Sequence, residues 1–124
     1  MDYYFPAYES HFSRFRSRSL LILEIGCGDG GSLQMWKRYF GPLAQIVGID
    51  IRPECKELEE DQITVRIGDQ SDAVFLSSLV EEFGPSDIVL DDGSHMMGDM
   101  VAAFSTLYPA MSKNGVWICE HQRA

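Results

Sequence analysis

The chain has 124 residues, which is enough for one domain with one hydrophobic core. Its 45% hydrophobic and 23% charged residues are typical of a globular protein. The formal net charge of −9 would repel a phosphate backbone and disfavours a nucleic-acid substrate. No apolar run approaches the roughly 20 residues of a membrane span, and the first residues do not resemble a secretory signal. We therefore expect a cytoplasmic protein with no membrane or nucleic-acid partner.

The cysteine content argues against disulfides and against a zinc site. The three cysteines are Cys27, Cys55 and Cys119, an odd number with no C-x-x-C spacing. This pattern predicts reduced thiols in a cytoplasmic protein.

Aromatic residues recur at helical spacing near the start of the chain. This spacing predicts a short helix within residues 1–18 that packs on a sheet. We interpret its aromatic face as core or as a dimer contact rather than as a ligand site. The residues on this face are Tyr4, Tyr8, His11, Phe12 and Phe15.

An apolar run, a glycine-rich turn and an amphipathic segment then follow one another. The run at 20–26 predicts a strand buried on both faces, and residues 31–40 have the spacing of a helix. Gly26, Gly28 and Gly31 match G-x-G-x-x-G, the glycine fingerprint of a dinucleotide-binding βαβ unit. The alternative is a glycine-rich turn with no ligand. The strand before it and the helix after it favour a ligand above the helix amino terminus.

An acidic residue marks the end of the second predicted strand, residues 45–51. Asp50 follows an apolar run and lies nineteen residues beyond Gly31. A carboxylate at this position can accept hydrogen bonds from both ribose hydroxyls of an adenosine cofactor. A helix N-cap is the alternative role, and the position after an apolar strand favours the ribose.

The rest of the chain alternates between helical and strand patterns. Such alternation predicts an α/β fold: a Rossmann-like open parallel sheet of order 3-2-1-4-5 with helices on both faces and right-handed crossovers. We treat residues 1–124 as a single domain. The remaining predicted elements are a short helix at 53–60, strands at 63–67, 87–91 and 116–120, and helices at 72–83 and 97–108.

A second group of polar residues follows the fourth strand. Asp91 and Asp92 are adjacent, and His95 comes three residues later. A divalent cation such as Mg²⁺ would compensate the two carboxylates, and Glu120 at the end of the fifth strand could share it with Asp92. His95 would then serve as general base for a metal-bound hydroxyl. The alternative is a cap and a turn without chemistry.

The glycine motif sits in a longer sequence with a family resemblance. Leu-Glu-Ile-Gly-Cys-Gly-Asp-Gly-Gly resembles the first motif of class I S-adenosylmethionine (SAM) methyltransferases. Further stretches, Ile-Val-Gly-Ile-Asp-Ile, Ile-Gly-Asp-Gln and Asp-Asp-Gly-Ser-His, resemble the metal-dependent sugar O-methyltransferases of macrolide pathways, the macrocin and mycinamicin type. The similarity covers nearly the whole chain, from the N-terminal helix to Glu120.

The resemblance implies a role for each motif residue. SAM would be held by Glu24, Gly26, Gly28, Asp50 and Asp69, with Asp69 at the adenine amino group. A metal, expected to be Mg²⁺, would be held by Asp91, Asp92 and Glu120, and Asp91 could orient SAM instead. His95 would be the catalytic base.

The sequence departs from the family pattern at two places. The pair after strand five is Glu120-His121, where the family has Glu-Asp, which leaves the identity of the metal open. The family also continues with two more strands and a helix, whereas this chain ends at Ala124. Strand five is then expected to be an exposed edge, and a fragment, a truncated product or a homo-oligomer that pairs through this edge would each fit.

The resulting prediction is a SAM-dependent O-methyltransferase. It would transfer a methyl group, with help from a metal, to a hydroxyl of a small molecule, plausibly a natural-product sugar. One alternative is a truncated SAM-binding domain without catalysis. A second, less favoured alternative is an NAD-binding oxidoreductase domain, which explains the glycines and Asp50 but not the Asp-Asp-Gly-Ser-His loop.

Overall fold

The computed structural model describes residues 12–93 and 96–119. The described residues form one parallel sheet in the order β3-β2-β1-β4-β5, which confirms the predicted topology. The strands are β1 (Leu20–Ile25), β2 (Ala44–Asp50), β3 (Ile63–Ile67), β4 (Ile88–Asp91) and β5 (Val116–Cys119). The α-helices are α1 (Gly31–Phe40), α2 (Ala73–Phe83) and α3 (Met97–Leu107).

Strand β1 lies at the centre of the sheet because all of its residues except Glu24 are apolar, and they face both sides. All six of its residues are buried, and it pairs in parallel with β2 on one side and β4 on the other. Successive side chains point to opposite faces of a strand. Accordingly, Leu20 and Ile22 belong to one hydrophobic cluster, and Leu21 and Leu23 belong to another.

The two clusters are covered by different helices, so the sheet has a helix layer on each face. Helix α1 covers the first cluster with Trp36 and Phe40, and Phe12 packs edge-on against Trp36 at a centroid distance of 5.7 Å. Helices α2 and α3 cover the second cluster with Leu76 and Leu107. The prediction of helices on both faces is thereby confirmed.

The N-terminal prediction is covered only in part. Tyr4, Tyr8 and His11 lie outside the described residues. Phe12 and Phe15 are buried in the first cluster, and a short 3₁₀ helix covers Ser13–Phe15. The assignment of residues 1–124 to a single domain stays a prediction.

Two helical segments differ from their predicted form. The segment predicted at 53–60 is a 3₁₀ helix over Pro53–Leu58, a form that is common in short connectors. The helix predicted to reach residue 108 ends at Leu107, where a 3₁₀ turn over Tyr108–Ala110 takes over. Proline at 109 has no N–H to continue the α-helical hydrogen bonds. No helix of the described part has the length and apolarity that a membrane crossing requires.

Backbone hydrogen bonds hold the segments after three strands at one edge of the sheet. The N–H of Gly26 donates to the Ile49 carbonyl at 2.7 Å, and the N–H of Asp92 donates to the Ile25 carbonyl at 2.9 Å. The N–H of Gly68 likewise donates to the Asp50 carbonyl at 3.0 Å. The loops after β1, β3 and β4 therefore converge at the carboxyl end of the sheet, where ligands bind in folds of this class.

Candidate functional site

A cleft of about 400 Å³ lies at the carboxyl edge of the sheet. Five of the residues predicted from the sequence line this cleft together: Gly26, Gly28, Asp50, Asp69 and Asp92. They come from the segments that follow four different strands, so the fold brings together residues that are far apart in sequence.

Gly26 allows the loop after β1 to touch the loop after β4. Its φ is +81°, and a Cβ at this position would lie 2.5 Å from the Gly93 Cα and 2.6 Å from the Asp92 carbonyl oxygen. Both contacts are with backbone, which has no free rotation to relieve them. Any side chain at 26 would force the two loops apart and open the floor of the cleft.

The glycine that caps α1, Gly30, is not one of the three glycines of the spacing motif. Gly30 is the N-cap residue with a φ of +88°, and a Cβ there would lie 2.8 Å from the Leu58 side chain. Gly31 is the first residue of the helix. The sequence analysis missed Gly30, although the Asp29-Gly30 pair is a typical turn signal.

Asp50 is held ionised at the end of β2. Its Oδ2 accepts from the N–H of Gly28 at 3.2 Å, and its Oδ1 accepts from the N–H of Arg52 at 3.0 Å. Although burial opposes ionisation, these hydrogen bonds and the Arg52 guanidinium lower the pKa of Asp50 below its usual value. The carboxylate is a fixed acceptor at the position where the sequence predicts one.

Arg52 is a cleft residue that the sequence analysis missed. Its Nε donates to Asp50 Oδ1 at 3.2 Å, and its guanidinium donates to the Gly28 carbonyl at 2.9 Å. It therefore ties the end of β2 to the glycine loop, with 49% of its side chain exposed. The pairing of Arg52 with Asp50 could have been predicted locally, since a basic residue two positions after an aspartate can pair with it through a turn.

Asp69 lines the cleft but also closes a turn. Its Oδ1 accepts from both the N–H and the hydroxyl of Ser71 at 2.8 Å. The cap of α2 is Asp72, which accepts from the N–H groups of Val74 and Phe75. Helix α2 is thus capped by Asp72 and not by Asp69, and Asp69 stays a candidate for the adenine amino group.

Glu24 is buried beneath the cleft rather than lining it. The hydroxyl of Ser32, in the first turn of α1, donates to Glu24 Oε2, while Oε1 is buried with no hydrogen-bond partner among residues 12–93 and 96–119. Burial, opposed by the Ser32 hydrogen bond and aided by the charge of Asp92, raises the pKa of Glu24 to about 7. A cationic group nearby would favour its ionised form.

Asp91 is the second buried carboxyl. It is 2% exposed, and its Oδ1 accepts from the N–H of Gly93 at 3.3 Å. Its Oδ2 is buried without a hydrogen bond in the described part of the chain. Burial raises the pKa of Asp91, and the Gly93 N–H and the nearby Gln70 amide offset part of this effect. Asp91 does not line the cleft.

These acids have the chemistry of a cation site. Buried carboxylates that lack a counter-charge are costly, and a hard cation with oxygen ligands compensates them. Neither Glu24 nor Asp91 forms an ion pair with another described residue. The donor set at Asp91 and Asp92 therefore fits the magnesium ion that the sequence predicts.

Two predicted residues, His95 and Glu120, lie outside the described residues, as does His121. Strand β5 nevertheless reaches the acidic pair, because Cys119 pairs with Asp91 in the sheet. Burial, followed by the charges of Asp91 and Asp92, raises the pKa of the Cys119 thiol. Glu120 is the next residue in the chain.

No family model matches the chain. It is 45% identical over 122 residues to the 8-demethyl-8-(2-methoxy-alpha-L-rhamnosyl)-tetracenomycin-C 3'-O-methyltransferase of Streptomyces olivaceus, an alignment that covers 93% of this chain and 31% of the relative. The chain is homologous to sugar O-methyltransferases. This homology confirms the resemblance found in the sequence.

A solved structure of the same kind matches the fold closely. The MycE methyltransferase of the mycinamycin biosynthetic pathway, in complex with Mg, SAH and mycinamycin VI, superposes with a TM-score of 0.89 and 38% identity. The match covers 95% of this chain and 32% of that chain. The chain therefore spans about a third of the length of the relatives that it matches.

The fold is also found in another class of enzyme. The 2-keto-3-deoxy-D-gluconate dehydrogenase of Streptococcus agalactiae matches with a TM-score of 0.65 at 17% identity, over 85% of this chain and 52% of that chain. At this identity the match shows a shared fold only. The choice between SAM and NAD as the cofactor therefore rests on the residues of the cleft and on the sugar O-methyltransferase relatives.

Proposed function

We propose that this chain forms the SAM-binding part of a metal-dependent O-methyltransferase that acts on a sugar hydroxyl of a natural product. The observation that carries the proposal is the convergence of the methyltransferase motif residues on one cleft, in a chain homologous to sugar O-methyltransferases. The relatives support the acceptor class: one is named for a rhamnosyl tetracenomycin, and MycE is found with mycinamycin VI.

In this proposal the cleft binds SAM through fixed polar groups. Asp50 accepts hydrogen bonds from the two ribose hydroxyls, since its carboxylate is already ionised and anchored by Gly28 and Arg52. The backbone of the loop at Gly26 and Gly28 contacts the methionine end. Asp69 lies at the carboxyl end of β3, from which it would accept from the adenine amino group.

Mg²⁺ would be held by Asp91 and Asp92 at the end of β4 and by Glu120, the residue that follows β5 in the sequence. Asp91, Asp92 and Glu120 supply oxygen ligands, and the buried Asp91 Oδ2 is a suitable donor that lacks another hydrogen bond among the described residues. When bound, the ion would make the acceptor hydroxyl more acidic. His95, which follows Asp92 by three residues, would accept the hydroxyl proton as general base. His121 at the family's second acidic position leaves Mn²⁺ or Zn²⁺ as alternatives to test.

Three further predictions are unchanged. A cytoplasmic location, the absence of nucleic-acid and membrane partners, and an assembly through the edge of β5 stay predictions. Within the described residues β5 is an edge strand, which is compatible with pairing to a second copy or to a further part of a longer protein.

Calorimetric titration with S-adenosylhomocysteine (SAH) tests the proposal. We expect one site per chain with a dissociation constant in the micromolar range, about −8 kcal/mol. Asp50→Asn removes the charged acceptor of two hydrogen bonds, each worth about 1.5–3 kcal/mol, so the affinity should fall by about a hundredfold or more. Asp61→Asn makes the same chemical change in an exposed turn and should leave binding unchanged.

Each titration is run with Mg²⁺ and again with EDTA. Tighter SAH binding with Mg²⁺, lost in Asp91→Asn, would support a metal site coupled to the cofactor. A folded chain that binds no SAH, or an Asp50→Asn variant that binds it as well as the wild type does, would contradict the proposal.

A further inference from the structure

Cys27 and Cys55, two residues to which the proposed function gives no role, form a cluster with Asp50. One ligand atom from each residue, the two sulfurs and a carboxylate oxygen, lies within 4.8 Å of the other two. Cys27 and Cys55 are 28 positions apart and have no metal-binding spacing, so the sequence analysis assigned them no zinc site. The fold brings them together beside the acid at the end of β2.

The elements that carry these side chains are well fixed. Cys27 belongs to the loop after β1 and packs on Gly48 of β2, where a Cβ would lie 3.2 Å from its sulfur. Cys55 is a buried residue of the 3₁₀ helix, and its sulfur lies 3.5 Å from the Gly28 carbonyl oxygen. Both thiols are 3% exposed. The two thiols are thus buried and held in place by packing.

We propose that Cys27, Cys55 and Asp50 form a binding site for a thiophilic divalent cation, with Zn²⁺ as the reference ion. Two thiolates and a carboxylate form a donor set that suits Zn²⁺, whereas Mg²⁺ prefers oxygen ligands only. Three protein ligands leave the fourth tetrahedral position to water. This site is separate from the oxygen site at Asp91 and Asp92.

Metal binding would require two side-chain movements at this cluster. With a Zn–S distance of about 2.3 Å, tetrahedral coordination places two sulfurs roughly 3.8 Å apart. Atoms no more than 4.8 Å apart reach this spacing by closing about 1 Å, which side-chain rotation of Cys27 and Cys55 supplies. Arg52, which donates to Asp50 and to the Cys55 sulfur, must turn away, and half of its side chain is already in solvent.

The charges also balance. Burial raises the pKa of Cys27 to about 12 and raises that of Cys55, so both thiols are neutral before the metal enters. The metal displaces both protons. The two thiolates, the Asp50 carboxylate and the dication together carry one net negative charge. The Arg52 guanidinium, once it has turned away, can offset this charge from outside the site.

Occupation of this site would exclude the cofactor. Asp50 cannot give its carboxylate to a metal and to the ribose hydroxyls at the same time, so Zn²⁺ and SAH should compete. This consequence rests on the proposed function, whereas metal binding by the two cysteines does not.

Titration with Co²⁺, a coloured substitute for Zn²⁺, tests the site on the full chain. We expect one Co²⁺ per chain with a thiolate-to-metal charge-transfer band, and we expect Zn²⁺ to displace it. Cys27→Ser and Cys55→Ser should each abolish the band, and Asp50→Asn should weaken binding by about tenfold or more. Cys119→Ser is the matched control, since it removes the one other cysteine, and it should retain the full band.

A measurement on the wild-type chain removes dependence on how the variants fold. Cys27 and Cys55 are buried, so they react with iodoacetamide only when the chain opens locally, and Zn²⁺ should slow their alkylation over a long incubation followed by mass spectrometry. With Mg²⁺ present throughout, the rate at which Cys119 reacts should not change on addition of Zn²⁺. A folded chain with no thiolate band, a band retained in both cysteine variants, or protection of Cys119 alone would overturn the proposal. A thiolate band in a chain that binds no SAH even in EDTA would support the metal site and contradict the proposed function.

Discussion

The buried Glu24 predicts that the stability of the chain depends on pH. Its pKa is about 7 in the folded chain, against an ordinary value of 4.5. The folded state therefore binds the proton more tightly, and the free energy of unfolding should fall as pH rises from about 4.5 to 7 and stay low above 7. The rise in the pKa of Glu24 from 4.5 to about 7 corresponds to a loss of about 3 kcal/mol in the free energy of unfolding.

The Glu24→Gln variant tests this prediction. Glutamine cannot ionise, and its oxygen can still accept from the Ser32 hydroxyl, so the loss of stability between about pH 4.5 and 7 should largely disappear. Urea unfolding at several pH values, without ligand, gives the measurement. The exposed Glu81→Gln on α2 serves as the matched control and should follow the wild type. If the free energy of unfolding depended on pH equally in Glu24→Gln and in the wild type, the raised pKa of Glu24 would be contradicted.

At the level of elements, the cleft depends on close packing of the loops after β1 and β4. Gly26→Ala would place a Cβ against the Gly93 Cα and the Asp92 carbonyl at a residue with φ of +81°. We expect a loss of stability of several kcal/mol, about 3 or more, together with loss of SAH binding. The free energy of unfolding and the SAH affinity are the two measurements.

Gly84→Ala separates backbone strain from the steric clash. Gly84 ends α2 with a φ of +89°, but nothing lies within 4 Å of the position of its Cβ. This variant should lose only the left-handed strain, about 1–2 kcal/mol, and should bind SAH normally. If the two variants were equally stable and both bound SAH, the contact between the loops would not organise the cleft.

For the whole molecule, the alternation of apolar runs and helical patterns was sufficient to predict the sheet order and the two helix layers. The six buried residues of β1 show why, since a strand that is apolar on both faces must lie inside a parallel sheet. The place of Asp50 and of the glycine loop in the cleft was predictable because it follows from their positions relative to a strand.

Other features depend on contacts across the fold that no local pattern records. The contact of Arg52 with the Gly28 carbonyl was missed because these two residues meet only when β1 and β2 pair. The closeness of Cys27 and Cys55 was missed for the same reason. Pro53–Leu58 forms a 3₁₀ helix, which differs from an α-helix in its hydrogen-bond spacing, and the residue types alone do not distinguish the two.

We propose that this cleft takes SAM rather than a dinucleotide. The fold does not decide between them, since a dehydrogenase shares it, and Asp50 would serve the ribose of either cofactor. The most direct test is therefore calorimetric titration of the same wild-type sample with SAH and with NADH. We predict micromolar binding of SAH and at least a hundredfold weaker binding of NADH, a difference of about 2.7 kcal/mol or more. Binding of NADH that equals or exceeds that of SAH would contradict the account.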